Sequence, residues 1–259
     1  MCKNALRRCI LLHCSSSSAT VVSELQKGVL KMTKTITIAF ALLGIYTASS
    51  YASPFAPVRE DQVPSGMAYS VKQPAVEYSG MFSGKHVAIL ASHGVEEAEI
   101  TYPYEYLVAR GAQVDVVVPS WAAEGVVAVR FLKPTLWVQG STTFEQAQKQ
   151  HYDILVVTGG AWNAQVVRSD GSALKLISNH YRQGLPVAAI CAGSSVLIDA
   201  GLARGQVLTG SPVVAVDLIN AGAKYTDAAL VRGDRLATSR SPNDLPEFVG
   251  GIRQLLLGH

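Results

Sequence analysis

The chain has 259 residues, 49% of them hydrophobic and 16% charged, with a net charge of +3. This composition excludes a disordered or a fibrous chain. The positive balance sits at the start: residues 1–52 hold Lys3, Arg7, Arg8, Lys27, Lys31 and Lys34 against Glu24 alone, so the other 207 come to −2 and offer no surface for nucleic acid.

Residues 1–31 read as an upstream extension, because Met32 opens a second, signal-like start. Residues 32–52 have the parts of a secretory signal peptide: Lys34, an apolar run over 36–46, and the small-x-small site Ser50-Tyr51-Ala52. The apolar run is shorter than the ~20 residues of a membrane span. The expectation is an exported protein, periplasmic or secreted, cleaved after Ala52 and left with no stable membrane anchor. Cys2, Cys9 and Cys14 precede Met32, so Cys191 is the one cysteine of the mature chain. Exported proteins normally pair their thiols or lose them. Its retention points to a chemical role.

Residues 53–84, with Pro54, Pro57, Pro64 and Pro74, read as an extended or disordered arm. Over 85–259 strand and helix signals alternate. Strands are expected at 85–91, 113–118, 136–139, 154–158 and 186–190, with short runs at 206–209, 223–226, 229–231 and 236–238. Helices are expected at 98–110, at 143–150 (capped by Thr142 or Thr143), at 170–183, after Cys191, at 212–220 and at 243–257. Continuous apolar strands between helices predict an α/β fold whose mostly parallel sheet is covered on both faces. Ligands of such sheets bind beyond the carboxyl ends of the strands. That rule gathers four segments: 92–104, 158–162, the turn at Cys191, and 239–244.

Cys191 ends an apolar run and precedes small residues, the pattern of a nucleophile elbow. A helix starting there would favour the thiolate. The amides of Gly160 and Ala192 are candidate oxyanion donors, although a Gly-Gly pair after a strand is also ordinary turn chemistry. Of Glu96, Glu97 and Glu99, one is expected to point inward, and the other two to form a solvated first turn. His93, alone among the histidines at a strand's carboxyl end, is a candidate acid/base. Arg240 is expected to pin the loop before the last helix. No His or Cys pair has metal-ligand spacing, and 158–163 lacks the ending of a phosphate loop, so neither metal nor cofactor is expected.

The motifs Glu96-Glu-Ala-Glu-Ile-Thr-Tyr-Pro-Tyr104, Thr158-Gly-Gly160, Ala189-Ile-Cys-Ala-Gly193, Asp217-Leu-Ile-Asn-Ala-Gly-Ala223 and Thr238-Ser-Arg-Ser-Pro-Asn-Asp-Leu-Pro-Glu-Phe248 together resemble the ThiJ/PfpI family. That family holds PfpI-type proteases, the Parkinson's-associated deglycase and glyoxalase III-type enzymes. The resemblance spans about 85–257. It implies a flavodoxin-like three-layer sandwich with a nucleophile elbow, a homodimer, and Cys191 as nucleophile. Glu99 matches the buried glutamate that hydrogen-bonds the cysteine, and Gly160 and Ala192 match the backbone donors. An ionised carboxylate beside the sulfur would raise the thiol, so the pair must share one proton. Two departures stand out. Ala192 occupies the place of a histidine in PfpI-type proteases, and Ser211 lies where other members carry a histidine or an aromatic residue. The resemblance therefore implies a glyoxalase- or deglycase-like enzyme acting on small dicarbonyls. A non-catalytic redox-sensing or stress-protective protein with an oxidisable Cys191 is the alternative. A cysteine peptidase or amidase, lacking its imidazole, comes last.

Overall fold

A computed structural model describes residues 55–57, 71–131 and 133–258, all within the unit Ser53–His259. The expected extension and signal peptide lie outside the described residues, as do 53–54 and 58–70 of the arm.

The strands are β1 (Phe55–Pro57), β2 (His86–Leu90), β3 (Val95–Glu96), β4 (Gln113–Val118), β5 (Gly125–Arg130), β6 (Lys133–Gln139), β7 (Thr142–Thr143), β8 (Ile154–Val157), β9 (Val187–Ile190), β10 (Val207–Leu208), β11 (Lys224–Tyr225), β12 (Val231–Arg232) and β13 (Leu236–Ser239). The α-helices are α1 (Glu97–Val108), α2 (Phe144–Ala147), α3 (Ala161–Ser169), α4 (Gly171–Arg182), α5 (Val196–Asp199), α6 (Ala215–Asn220) and α7 (Leu245–Leu257). The main sheet runs β12-β13-β9-β8-β2-β4-β7, parallel throughout except for β12 against β13. Taking β2, β4, β8, β9 and β13 as first to fifth, the order is 2-1-3-4-5, the flavodoxin-like winding. Its direction reverses between β2 and β8, and there the crevice opens at the carboxyl ends.

Period-two side chains make the layers. Val87 and Ile89 enter one core with α1 and α7, while Ala88 and Leu90 enter the other with α3, α4 and α5. Val116 and Val118 face the first core and Val117 the second. Buried on both sides, these strands read as unbroken apolar runs.

Three features depart from expectation. First, 125–139 is a hairpin (β5 and β6) rather than a short strand, and β6 also pairs with β1, with Ala56 opposite Trp137. The described parts of the arm are therefore tied to the domain. Gln73 Nε2 donates to Tyr102 O at 2.8 Å, and Ala75 O accepts from Arg110 Nη2 at 2.8 Å. Second, α3 forms where no helix is expected; of its nine residues only Asn163, Ala164 and Val167 are buried. Third, Cys191–Ser195 is a 3-10 turn, and only the four residues of α5 continue it as α-helix.

Candidate active site

Three consecutive parallel strands end side by side, and each delivers one part of the site. After β9 the chain reverses sharply at Cys191, whose φ of 59° is one of two positive values at non-glycine positions among the described residues. Such strain persists only where neighbours fix the backbone. Here Ser211 N–H donates to Cys191 O at 3.1 Å, and Ser195 Oγ donates to Ala192 O at 2.7 Å. Cys191 as a residue is half-buried and is not disulfide-bonded.

After β8, Gly159 and Gly160 pass directly beside the elbow. A Cβ on Gly159 would come within 2.4 Å of Glu99 Oε2 and 2.6 Å of Cys191 Cβ, so a bare backbone is what lets the carboxyl and the cysteine meet. Gly160, at φ 93°, begins α3, and its amide and that of Ala192 both bear on the Cys191 sulfur. From the β2 side, Glu99 enters in the first turn of α1. It is fully buried, and its Oε2 accepts from Gly159 N–H at 2.7 Å. Its Oε1 is buried without a conventional hydrogen-bond partner, and the carboxyl also interacts with the Cys191 thiol.

Burial pushes the Glu99 carboxyl up to about 8, against smaller downward pulls from Cys191 and Gly159 and an upward one from the Glu96 charge. The carboxyl thus keeps its proton at neutral pH. Burial also lifts the Cys191 thiol, with the charge and hydrogen bond of Glu99 adding to it, while the Ala192 and Gly160 amides pull it down. This is opposite to the thiolate-favouring helix end expected from the sequence. The reason is burial beside a carboxyl, which disfavours the thiolate by more than the two amides favour it. Either group's charge would be felt by the other, and the two titrate as one unit.

Of the remaining candidates, His93 faces elsewhere. Its Nδ1 accepts from Val127 N–H at 2.9 Å, and its ring lies 5.5 Å from that of Trp121 and 6.3 Å from that of Trp137. Desolvation there lowers its pKa, and no described contact joins it to Cys191 or Glu99. Ser211 acts on the elbow through its backbone N–H. Glu96 corrects an expectation: it is 8% exposed, and its Oε2 accepts from Phe131 N–H at 3.0 Å, so it is no solvated first-turn residue. Glu97 pairs with Arg130 at 2.9 Å. Arg240 pins the loop before α7, through Asp244 at 2.9 Å and Asp227 at 2.7 Å. His86 lies at the amino end of β2, on Asp115 at 2.9 Å. Among the described residues no three His, Cys, Asp or Glu side chains cluster as a metal would need, and no helix is long and apolar enough to cross a membrane.

Sequence reasoning missed Asn163. It is fully buried, its Nδ2 donates to Thr158 O at 2.9 Å and Gly159 O at 2.8 Å, and its Oδ1 accepts from Ser92 N–H. It ties the end of β2 to the end of β8 behind the site. The one available signal was an amide side chain four residues after Gly159, on a helix not foreseen.

The model of the DJ-1/PfpI family matches residues 85–254. The chain belongs to the DJ-1/PfpI family. A deglycase of Pyrococcus abyssi is 35% identical over 170 residues, covering 66% of this chain and 98% of that relative. The protein/nucleic acid deglycase 2 of Escherichia coli is 30% identical over 165 residues, covering 63% of this chain and 93% of its own length. The crystal structure of DJ-1beta from Drosophila melanogaster superposes with a TM-score of 0.61 at 27% identity, over 68% of this chain and 91% of that one. Family relatives thus carry the deglycase name on a fold with this winding.

Proposed function

We propose that this family member is a cysteine-dependent glyoxalase or deglycase that acts on small dicarbonyls such as methylglyoxal. The observation that carries the reading is the buried Glu99 carboxyl, held by Gly159 N–H and interacting with the Cys191 thiol. In the proposed reaction the sulfur bonds to the aldehyde carbon, and the carbonyl electron pair moves to oxygen. The amides of Gly160 and Ala192 stabilise that oxygen. The thiol proton passes through Glu99 to the oxygen, giving a hemithioacetal. Glu99, now a carboxylate, takes the proton of this carbon and delivers it to the neighbouring carbonyl carbon. The hydroxyl proton passes to that carbonyl's oxygen, which leaves a lactoyl thioester. Water cleaves the thioester, so methylglyoxal plus water gives lactate with no external oxidant or reductant.

Lactate formation from methylglyoxal tests this. The wild type is expected to far exceed Cys191→Ala, and equal rates would reject the enzyme. The sensor alternative is less favoured, because the lifted thiol leaves little thiolate for peroxide. A +32 Da species at Cys191 after mild peroxide would revive it. We also propose export and a homodimer, supported by the 32–52 segment and by the family; a mature N-terminus at Ser53 and sedimentation velocity check them.

A further inference from the structure

The helix that delivers Glu99 has a weak point in the turn that matters. Pro103 lies inside α1, four residues after Glu99. A proline has no N–H to give, so the Glu99 carbonyl lacks its helical donor, and the ring crowds that same turn. Helices kink or open at such a place unless their surroundings hold both sides of it. On the site side the hold is Gly159, whose N–H donates to Glu99 Oε2 at 2.7 Å.

On the other side the hold is the arm, over residues 71–82. The family match begins at residue 85, so this segment is an addition to the matched domain. It grips the residue next to the proline from both directions. The carbonyl of the buried Tyr102 accepts from Gln73 Nε2 at 2.8 Å, and the Tyr102 hydroxyl donates to Lys72 O at 3.0 Å. Gln73 Nε2 also reaches Glu105 Oε2 at 3.3 Å. Just beyond the end of α1 the buried Arg110 lies over the Tyr106 ring, 3.9 Å from its centroid. Its Nη1 donates to Tyr106 O at 3.1 Å and its Nη2 to Ala75 O at 2.8 Å, joining helix and arm. Val71 and Met81 pack on the core that holds Ile100, Tyr102 and Tyr106.

We propose that residues 71–82 are a clamp on α1 that positions the Glu99 carboxyl beside Cys191, with Gln73 and Tyr102 as its positioning residues. The proposal goes beyond the function inferred above, because it holds for whatever reaction the pair performs. Burial lifts the Glu99 carboxyl, and the groups that oppose or add to this are Cys191, Glu96 and the Gly159 amide. None of them belongs to the arm. The clamp therefore acts through position and not through charge. While it is closed, the first turns of α1 stay shut and the carboxyl stays dry beside the sulfur. When it is released, the turn around Pro103 opens, and the carboxyl hydrates and withdraws. The thiol then loses the charge and the hydrogen bond of Glu99, which both hold it up.

The test follows alkylation of Cys191 by iodoacetamide against pH in the full chain, read as the mass of the Cys191 peptide. It compares wild type with Gln73→Ala, Tyr102→Phe, Gln73→Lys and Lys72→Ala. Gln73→Lys keeps a donor within reach of Tyr102 O and Glu105, and Lys72→Ala keeps the carbonyl that Tyr102 uses. In Gln73→Ala and Tyr102→Phe the rise in alkylation rate is expected about one pH unit lower than in wild type. Amide exchange over residues 99–102 is expected to quicken about tenfold in the same two variants. Gln73→Lys and Lys72→Ala are expected to keep the wild-type profile. An unmoved profile or unchanged exchange in Gln73→Ala and Tyr102→Phe overturns the proposal, even where they melt lower, because a merely structural arm would cost stability alone. A Gln73→Lys profile displaced as far as that of Gln73→Ala overturns it too. The readout needs no substrate, so it stands whether or not the chain forms lactate from methylglyoxal.

Discussion

Glu99 shows how one residue sets function against stability. In the unfolded chain its carboxyl ionises near 4.5, and in the fold near about 8. Its folded value is the raised one, so between those pH values the unfolded state has released a proton that the folded state retains. Stability from this group is complete below pH 4.5 and declines as pH rises through 8. Glu99→Gln keeps an acceptor for Gly159 N–H and removes the buried acid. The variant is expected to melt at higher temperature than wild type at pH 8–9, with the difference gone below pH 4.5, while lactate formation drops ~10²-fold or more. A variant that melts lower at pH 8, or keeps its activity, would contradict this account. Wild-type kcat/KM is expected to rise with pH through about 8, as the Glu99–Cys191 pair releases its first proton. Gly159 makes the companion case. An added methyl would press on both Glu99 and Cys191, so Gly159→Ala is expected to destabilise by about 1–3 kcal/mol in urea titration and to abolish turnover.

Among the elements, the 3-10 elbow and α3 hold the site together. The elbow is short because β9 must deliver Cys191 into a crevice already occupied by the β8 turn, where a Cβ on Gly193 would come within 2.6 Å of Thr158 O. Asn163 on α3 fixes that turn against the end of β2. Asn163→Leu preserves volume but leaves the Ser92 amide and the Thr158 and Gly159 carbonyls without these partners. It is expected to destabilise by about 2–4 kcal/mol and to lower kcat, because the Gly160 donor loses its support. Equal chemical-denaturation midpoints for wild type and variant would refute the role. The capping box at Thr143 and Gln146 shows the opposite situation. There one local pattern suffices to place the cap at Thr143, although the helix ends at Ala147 rather than at 150.

Across the whole molecule, the two cores separate a reactive carboxyl edge from a structural amino edge. His180 belongs to the structural side. It is buried late in α4, its Nε2–H donates to Pro186 O at 3.0 Å at the entry to β9, and burial holds its pKa down to about 4. Its folded value lies below the unfolded 6.5, so protonation favours unfolding as pH falls from 6.5 toward 4. The loss should approach about 3 kcal/mol at most. His180→Gln, which keeps a donor for Pro186 O, is expected to flatten the stability profile over that range. An unchanged acid slope would assign it to other groups.

The sequence alone determined the alternation of strands and helices, the carboxyl-edge rule, and the company of Gly160, Cys191 and Ala192. These follow from periodicity, small residues and motif spacing, which neighbours along the chain encode. The choice of Glu99 among three glutamates came from the family resemblance. Only the tertiary structure decided that Glu96 is buried, that His93 turns to Trp121 and Trp137, that β1 joins β6, and that Asn163 braces the crevice. It also reversed the expected direction of the thiol's shift. Each of these depends on which distant segments displace water from a side chain. Desolvation and cross-chain hydrogen bonds act through space and leave little trace in local pattern.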